Sequence, residues 1–140
     1  GADDPDERKP MVWGDLQYDA ETTHPLGRPR KRDRVAPDTA MFRVYQDLIA
    51  LRRRHLRLFV DGTLHWLTTD DARGLLVYER VLGDQRAVIA FNNSDAIHEV
   101  SVPANGRYRA AYPVGSGVVV ANGVIRVQLP ARTARVWIRE

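Results

Sequence analysis

The chain has no cysteine and almost no lysine, and each shortage narrows the explanations open to it. Without cysteine there is no disulfide framework, no thiol nucleophile and no zinc–thiolate site, and the redox compartment is left open. The four histidines, His24, His55, His65 and His98, are scattered without metal-ligand spacing, and no Glu-x-x-His pair accompanies them. Neither a metal nor another cofactor is expected on that ground. Apolar runs are strand-sized and the start is acidic, so neither a secretory signal nor a membrane span is read here, although a signal could lie upstream of a fragment. The compartment is therefore unknown, with the cytoplasm slightly favoured.

Positive charge is present but lopsided. Lys9 and Lys31 are the only lysines, and arginine supplies the rest of a net charge of +3 over 140 residues. Arg28, Arg30, Lys31, Arg32 and Arg34 crowd one stretch; Arg52, Arg53, Arg54 and Arg57 crowd another. Nucleic-acid binding would use such clusters to neutralise phosphates. The first, however, is interrupted by proline and acid and lacks interleaved aromatics for base stacking. The second sits where a helix should end, and cations there complement the negative end of the macrodipole. No nucleic-acid partner is expected.

Residues 1–37 show no sustained period and are rich in Pro, Asp and Arg, a length of loop that is usually functional or disordered. Asp38 then supplies an N-cap, because its carboxylate can accept from a first-turn N–H. Met41, Val44, Tyr45, Leu48, Ile49 and Leu51 follow at helical spacing and predict an apolar stripe. That stripe must pack on the rest of the chain, pair with another chain, or stay exposed as an interaction surface.

From Thr63 the pattern turns to short β-rich runs separated by turn residues, as an antiparallel sandwich requires. Strands are expected near Leu64–Leu67, Gly74–Val81, Arg86–Asn92, His98–Val102, Tyr108–Ala111, Val118–Val120, Val124–Leu129 and Arg135–Ile138. Leu82-Gly83-Asp84 and Asn122-Gly123 are the hairpin signals, since Gly, Asn and Asp accept the positive φ of tight reversals. Asn92-Asn93-Ser94-Asp95 reads as a loop whose amides and hydroxyl satisfy turn backbone. Asn92-Asn93-Ser94 also fits a glycosylation acceptor, relevant only to a secreted chain. Trp66 and Trp137 are expected in core or edge packing; a sugar-binding role would need one of them flat and exposed.

The block Gly1 to Trp13, GADDPDERKPMVW, carries an Asp-Pro-x-x-Arg run and then Pro-Met-x-Trp. It resembles the loop after the eighth barrel strand of the α-amylase superfamily, glycoside hydrolase family 13, in the neopullulanase, cyclomaltodextrinase and maltogenic amylase branch. The stretch Asp15 to Val35 resembles the long connection that comes next in that family. Met41 to His55, MFRVYQDLIALRRRH, resembles its last barrel helix, and the remainder resembles its C-terminal β-sandwich. The resemblance implies a mainly β fold: an antiparallel sandwich over 59–140, preceded over 1–58 by a loop and one α-helix left over from a (β/α)8 barrel.

The same resemblance implies a parent that hydrolyses α-glucans or cyclodextrins with retention, through a covalent glycosyl-enzyme. Such chemistry needs two carboxyl groups in fixed opposition across the scissile bond. The family's three catalytic carboxylates sit on barrel strands that precede this segment, so no catalytic residue is assigned. Asp3, Asp4, Asp6 and Glu7 are too close along one loop to hold a donor and a nucleophile apart. Asp4 and Arg8 match residues that bind glucose units in the family, a carboxylate accepting from hydroxyls and a guanidinium donating in a planar fork. They could equally brace the loop by pairing with each other, and Trp13 is read chiefly as a loop anchor. The expected partners are an α-glucan within the whole enzyme, the missing barrel, and a second copy through the Met41–Leu51 helix. A free-standing carbohydrate-binding or oligomerisation module is the alternative.

Overall fold

The computed structural model describes residues 10–115, 118–120 and 123–140. Two compact units divide the chain, Gly1–Val44 and Tyr45–Glu140.

In the first unit, a bridge between Glu21 and Asp33 closes a long loop on itself, each backbone N–H donating to the other residue's carbonyl at 2.9 Å. Arg30 reinforces that closure by pairing with the Glu21 carboxylate at 2.8 Å.

Helix α1 runs Thr39–Arg54. Asp38 caps it: its Oδ1 accepts from the Met41 backbone N–H at 2.9 Å, satisfying a donor that has no partner within the helix. The apolar stripe forms as the spacing predicts but is left bare. Of α1 only Leu51 is buried, whereas Met41, Val44, Tyr45, Leu48 and Ile49 are all exposed. A second helix, α2 (Leu56–Asp61), follows, where the sequence predicted a single helix. Its six residues are too few to show a period, but Leu58 is completely buried and ties the turn to the sandwich.

Eight strands build the second unit: β1 (Thr63–Asp70), β2 (Leu75–Leu82), β3 (Gln85–Asn92), β4 (His98–Pro103), β5 (Arg107–Tyr112), β6 (Val118–Val120), β7 (Val124–Leu129) and β8 (Thr133–Arg139). All eight expected strands are present, most of them longer at one or both ends than their sequence signals. They form a six-stranded antiparallel sheet in the order β1-β2-β3-β8-β5-β6 and a two-stranded sheet, β4-β7. The fold is mainly β, an antiparallel sandwich with few helices, as the sequence predicts.

Local chemistry explains the turns. Leu82 pairs with Gln85, leaving a two-residue loop in which Gly83 takes φ +56, a conformation an L side chain resists. Of the second expected hairpin, Asn122 lies outside the described residues. Gly62, between α2 and β1, is required by space instead: a Cβ there would stand 2.3 Å from the Leu58 carbonyl oxygen. After β3, the buried Asn92 amide donates to the carbonyls of Ala96, Leu129 and Pro130 at 2.8–3.0 Å, and its Oδ1 accepts from the Ser94 N–H and hydroxyl. That nitrogen is fully engaged in holding the turn and is no glycan acceptor.

Period-two alternation sorts the large sheet's side chains onto two faces. One face, with Val77, Val88, Tyr108 and Trp137, meets Val100, Val102, Ile125 and Leu129 of β4-β7 in the main core. The other carries Ala87, Ile89, Val136 and Ile138, and on it sit Leu51 and Leu58. Strand β8 is thus buried on both sides, its Val136 and Ile138 facing the helices and its Trp137 facing the small sheet.

Candidate functional site

The inner face of the large sheet is closed by its partner sheet. The opposite face is covered only where α2 and the last turn of α1 reach. Beyond that cover, three aromatic rings cross the sheet edge. Trp66 of β1 stands opposite Tyr78 of β2, and Phe91 of β3 lies diagonal to Tyr78. Trp66 meets Tyr78 edge-on, with centroids 5.6 Å apart and planes at 69°. Tyr78 and Phe91 stack at 6.3 Å and 20°. Trp66 is 60% exposed and Phe91 37%. Such cross-strand ring contacts hold their own geometry, yet most of the Trp66 surface touches nothing. The expectation of core or edge packing is met by Trp137 in the core and by Trp66 on the edge strand, where most of its surface stays open. An edge strand with apolar residues on both faces gives no sequence cue to which tryptophan is covered.

Tyr45, Leu48 and Ile49 of α1 are exposed as well, so the second unit leaves apolar side chains uncovered on both the outer sheet and the helix. Exposed apolar surface of this kind marks a place where another surface sits. The rings do not share one plane, as a flat stacking platform for a sugar would require, and side chains at mixed angles suit a packed interface better.

Other candidate residues fall elsewhere. Asp4 and Arg8, with the acidic run Asp3, Asp4, Asp6 and Glu7, lie outside the described residues. Trp13 does not anchor its loop by burial: the residue is 59% exposed and is held through its backbone, the N–H donating to the Tyr18 hydroxyl at 2.8 Å and the carbonyl accepting from the Leu16 N–H at 3.3 Å. In the same unit a cleft of about 350 Å³ is lined by Pro10, Tyr18, Asp19, Glu21, Asp33 and Arg34 among others. Its carboxylates share the rim with Arg34, but no pair of carboxyls stands isolated there as hydrolysis would need.

The four histidines do not converge. His24 Nδ1 accepts from the Leu26 N–H at 3.0 Å, His55 lies between α1 and α2, and His98 opens β4. His65 meets Glu79 at 3.2 Å, and Arg86 engages the other oxygen of the same carboxylate while donating to the Pro103 carbonyl. Glu79 is buried, so this cluster pins the ends of β1, β2 and β3 with a charge that water does not screen well. Nearby, burial pushes the Tyr108 hydroxyl above its ordinary value. Among the described residues no group of three potential metal-ligating side chains comes together. Asp70 and Asp95 are held below the usual carboxylate range by hydrogen bonds from Arg73 and Arg132, and both pairs brace turns at the surface.

No protein-family model matches the chain. Solved structures do. An α-amylase from Anoxybacillus, described as a new glycosyl hydrolase subclass, superposes with a TM-score of 0.63 at 20% identity, over 76% of this chain and 24% of that one. An α-amylase from Geobacillus thermoleovorans complexed with acarbose matches at 26% identity and TM-score 0.52, over 63% and 20% of the two chains. A family GH13_31 enzyme matches at 25% identity and TM-score 0.52, over 74% and 17%. The chain thus spans a quarter or less of the length of these structures. Its structural neighbours are α-amylase-family glycoside hydrolases matched over a fragment, and it shares with them a β-sandwich fold.

Proposed function

We propose that this chain is the C-terminal part of an α-amylase-family enzyme acting on α-glucans or cyclodextrins, in the neopullulanase, cyclomaltodextrinase and maltogenic amylase branch. Residues 1–58 supply the last loop and helix of a catalytic barrel, and residues 59–140 form the sandwich that stabilises it. The observation that carries this reading is the uncovered apolar surface of α1 and the outer sheet, which the barrel wall occupies. Covering it removes apolar area from water, at about 25 cal/mol per Å². The partner is the barrel domain; a second copy of the chain is the occupant to be excluded by experiment.

In this reading the chain performs no hydrolysis alone. By the resemblance, the nucleophile, the acid and the third carboxylate belong to barrel strands that precede it, and retaining hydrolysis is what that resemblance implies. Asp4 and Arg8 contribute binding only: the carboxylate accepts from sugar hydroxyls and the guanidinium donates to a sugar oxygen.

The test is direct. The purified 140-residue chain releases no reducing sugar from a cyclodextrin or a linear maltooligosaccharide; release would overturn the reading. In the full-length enzyme, Arg8→Ala raises KM for a maltooligosaccharide while the melting temperature stays unchanged. An unchanged KM would remove the sugar-binding role and leave the loop-bracing one. Light scattering of the chain alone distinguishes the module readings, since a discrete dimer through α1 would favour oligomerisation.

A further inference from the structure

A second cleft, unconnected with the aromatic face, opens at the α1–α2 junction. Its volume is about 490 Å³, within the roughly 300–1,000 Å³ span of small-molecule sites. Arg53, Arg54, Arg57 and Arg139 line it, with His55 between them, and no carboxylate is on its wall. Arg57 is balanced by Asp61 one turn along α2. Arg53, Arg54 and Arg139 have no carboxylate partner among the described residues. The negative end of α1 offsets part of the Arg53 and Arg54 charge, but three guanidinium groups on one wall without a carboxylate still favour an anion.

His55 adds a second, independent sign. Its Nε2 is buried and has no hydrogen-bond partner among the described residues. A buried polar atom left unmatched costs free energy unless something donates to it or accepts from it. The ring is held neutral-prone by desolvation first, and then by Arg109 and Arg54. A neutral imidazole carries one N–H donor and adds no charge to the wall of arginines.

The remaining wall is mainly apolar: Leu56, Leu58 and Ile138 stand beside the cations, with Gln85 as its one uncharged polar side chain. A bare tetrahedral ion would leave that side and most of the volume unused. We propose that this cleft binds an organic phosphate monoester, its dianionic head among Arg53, Arg54 and Arg139 beside the His55 ring, and its organic body against Leu56 and Ile138. Guanidinium forks suit a phosphate because several N–H groups meet several oxygens at once. A single carboxylate carries too little charge to balance three unpaired guanidinium groups.

The experiment is calorimetric titration of the whole 140-residue chain at constant ionic strength with glucose 6-phosphate, inorganic phosphate and glucose. Saturable binding of the sugar phosphate is expected, with inorganic phosphate at least fivefold weaker and glucose giving no signal. Arg54→Gln combined with Arg139→Gln weakens the sugar phosphate at least tenfold, whereas Arg52→Gln, outside the cleft, leaves affinity unchanged. Should the double variant fail to fold by circular dichroism, Arg54→Gln alone is read, with a smaller loss expected. A second readout is the His55 ring in proton–nitrogen NMR, which shifts on binding while His24 and His98 do not. Equal affinity for both phosphates, no saturable heat, or loss-free binding by the variants would each overturn the proposal. So would equally tight displacement by a hexaglutamate peptide, which would assign the cleft to an acidic protein surface.

Discussion

The two faces of the six-stranded sheet were built from the same residue types and ended differently. On the inner face, Val77, Val88, Tyr108 and Trp137 are sealed by β4-β7 within the chain itself. On the outer face, Ala87, Ile89, Val136 and Ile138 are sealed by Leu51 and Leu58, but Trp66, Phe91 and the α1 stripe are left in water. An inner core of that kind supports independent folding, because its apolar burial is complete without a partner. The outer face is complete only in part. The lesson is that apolar character alone does not say which surface belongs to the fold and which to an interface; the covering element does.

The largest expected effect is on the inner face. Trp137→Ala removes a fully enclosed side chain and should cost about 3–5 kcal/mol of the isolated chain's stability, read by urea denaturation. A cost below about 1 kcal/mol would mean that the small sheet does not seal the core. Next is Glu79→Ala, which strips the carboxylate from a buried cluster and leaves Arg86 uncompensated. Because Arg86 reaches the surface, the loss should fall at the low end for such pairs, about 3 kcal/mol. His65→Ala, whose ring is half exposed, should cost clearly less.

On the outer face, Trp66→Ser should change the isolated chain by no more than about 1 kcal/mol, the worth of one cross-strand ring contact. A loss as large as that of Trp137→Ala would erase the distinction between the two faces. The smallest effect is a pH dependence from His55, whose native value lies below the ordinary 6.5 chiefly through desolvation. Below 6.5 the unfolded chain takes up a proton before the native one does, so stability falls with acid until the depressed native value is passed. His55→Gln should flatten that segment of the pH–stability curve; an unaltered slope would place the titration elsewhere.

Much of the architecture was legible in the sequence because its signals were local. Gly83-Asp84 dictates its own reversal, Asp38 its own cap, and Ala134 to Arg139 its own alternation. Helix α2 was not legible, since LRLFVD is shorter than two turns and its one decisive residue, Leu58, announces itself only by what it touches. The His65–Glu79–Arg86 cluster needed the register of three strands, and the second cleft needed β8 to bring Arg139 beside arginines some 85 positions earlier in the chain (139 less 54). For the site, the sequence pointed to the α1 stripe, and the structure leaves that stripe uncovered. The exposure of Trp66 was not legible because exposure is a property of the sheet's cover, and Asp4 and Arg8 rest on resemblance.

The measurement that bears most directly on the account is the melting temperature of Ile49→Asp, taken both in the isolated chain and in the full-length enzyme. An exposed stripe in the first and a covered one in the second predicts no change alone and a drop of several degrees in the enzyme. No change in either, or the same drop in both, would contradict the claim that this face of the sandwich unit exists to pack against a barrel.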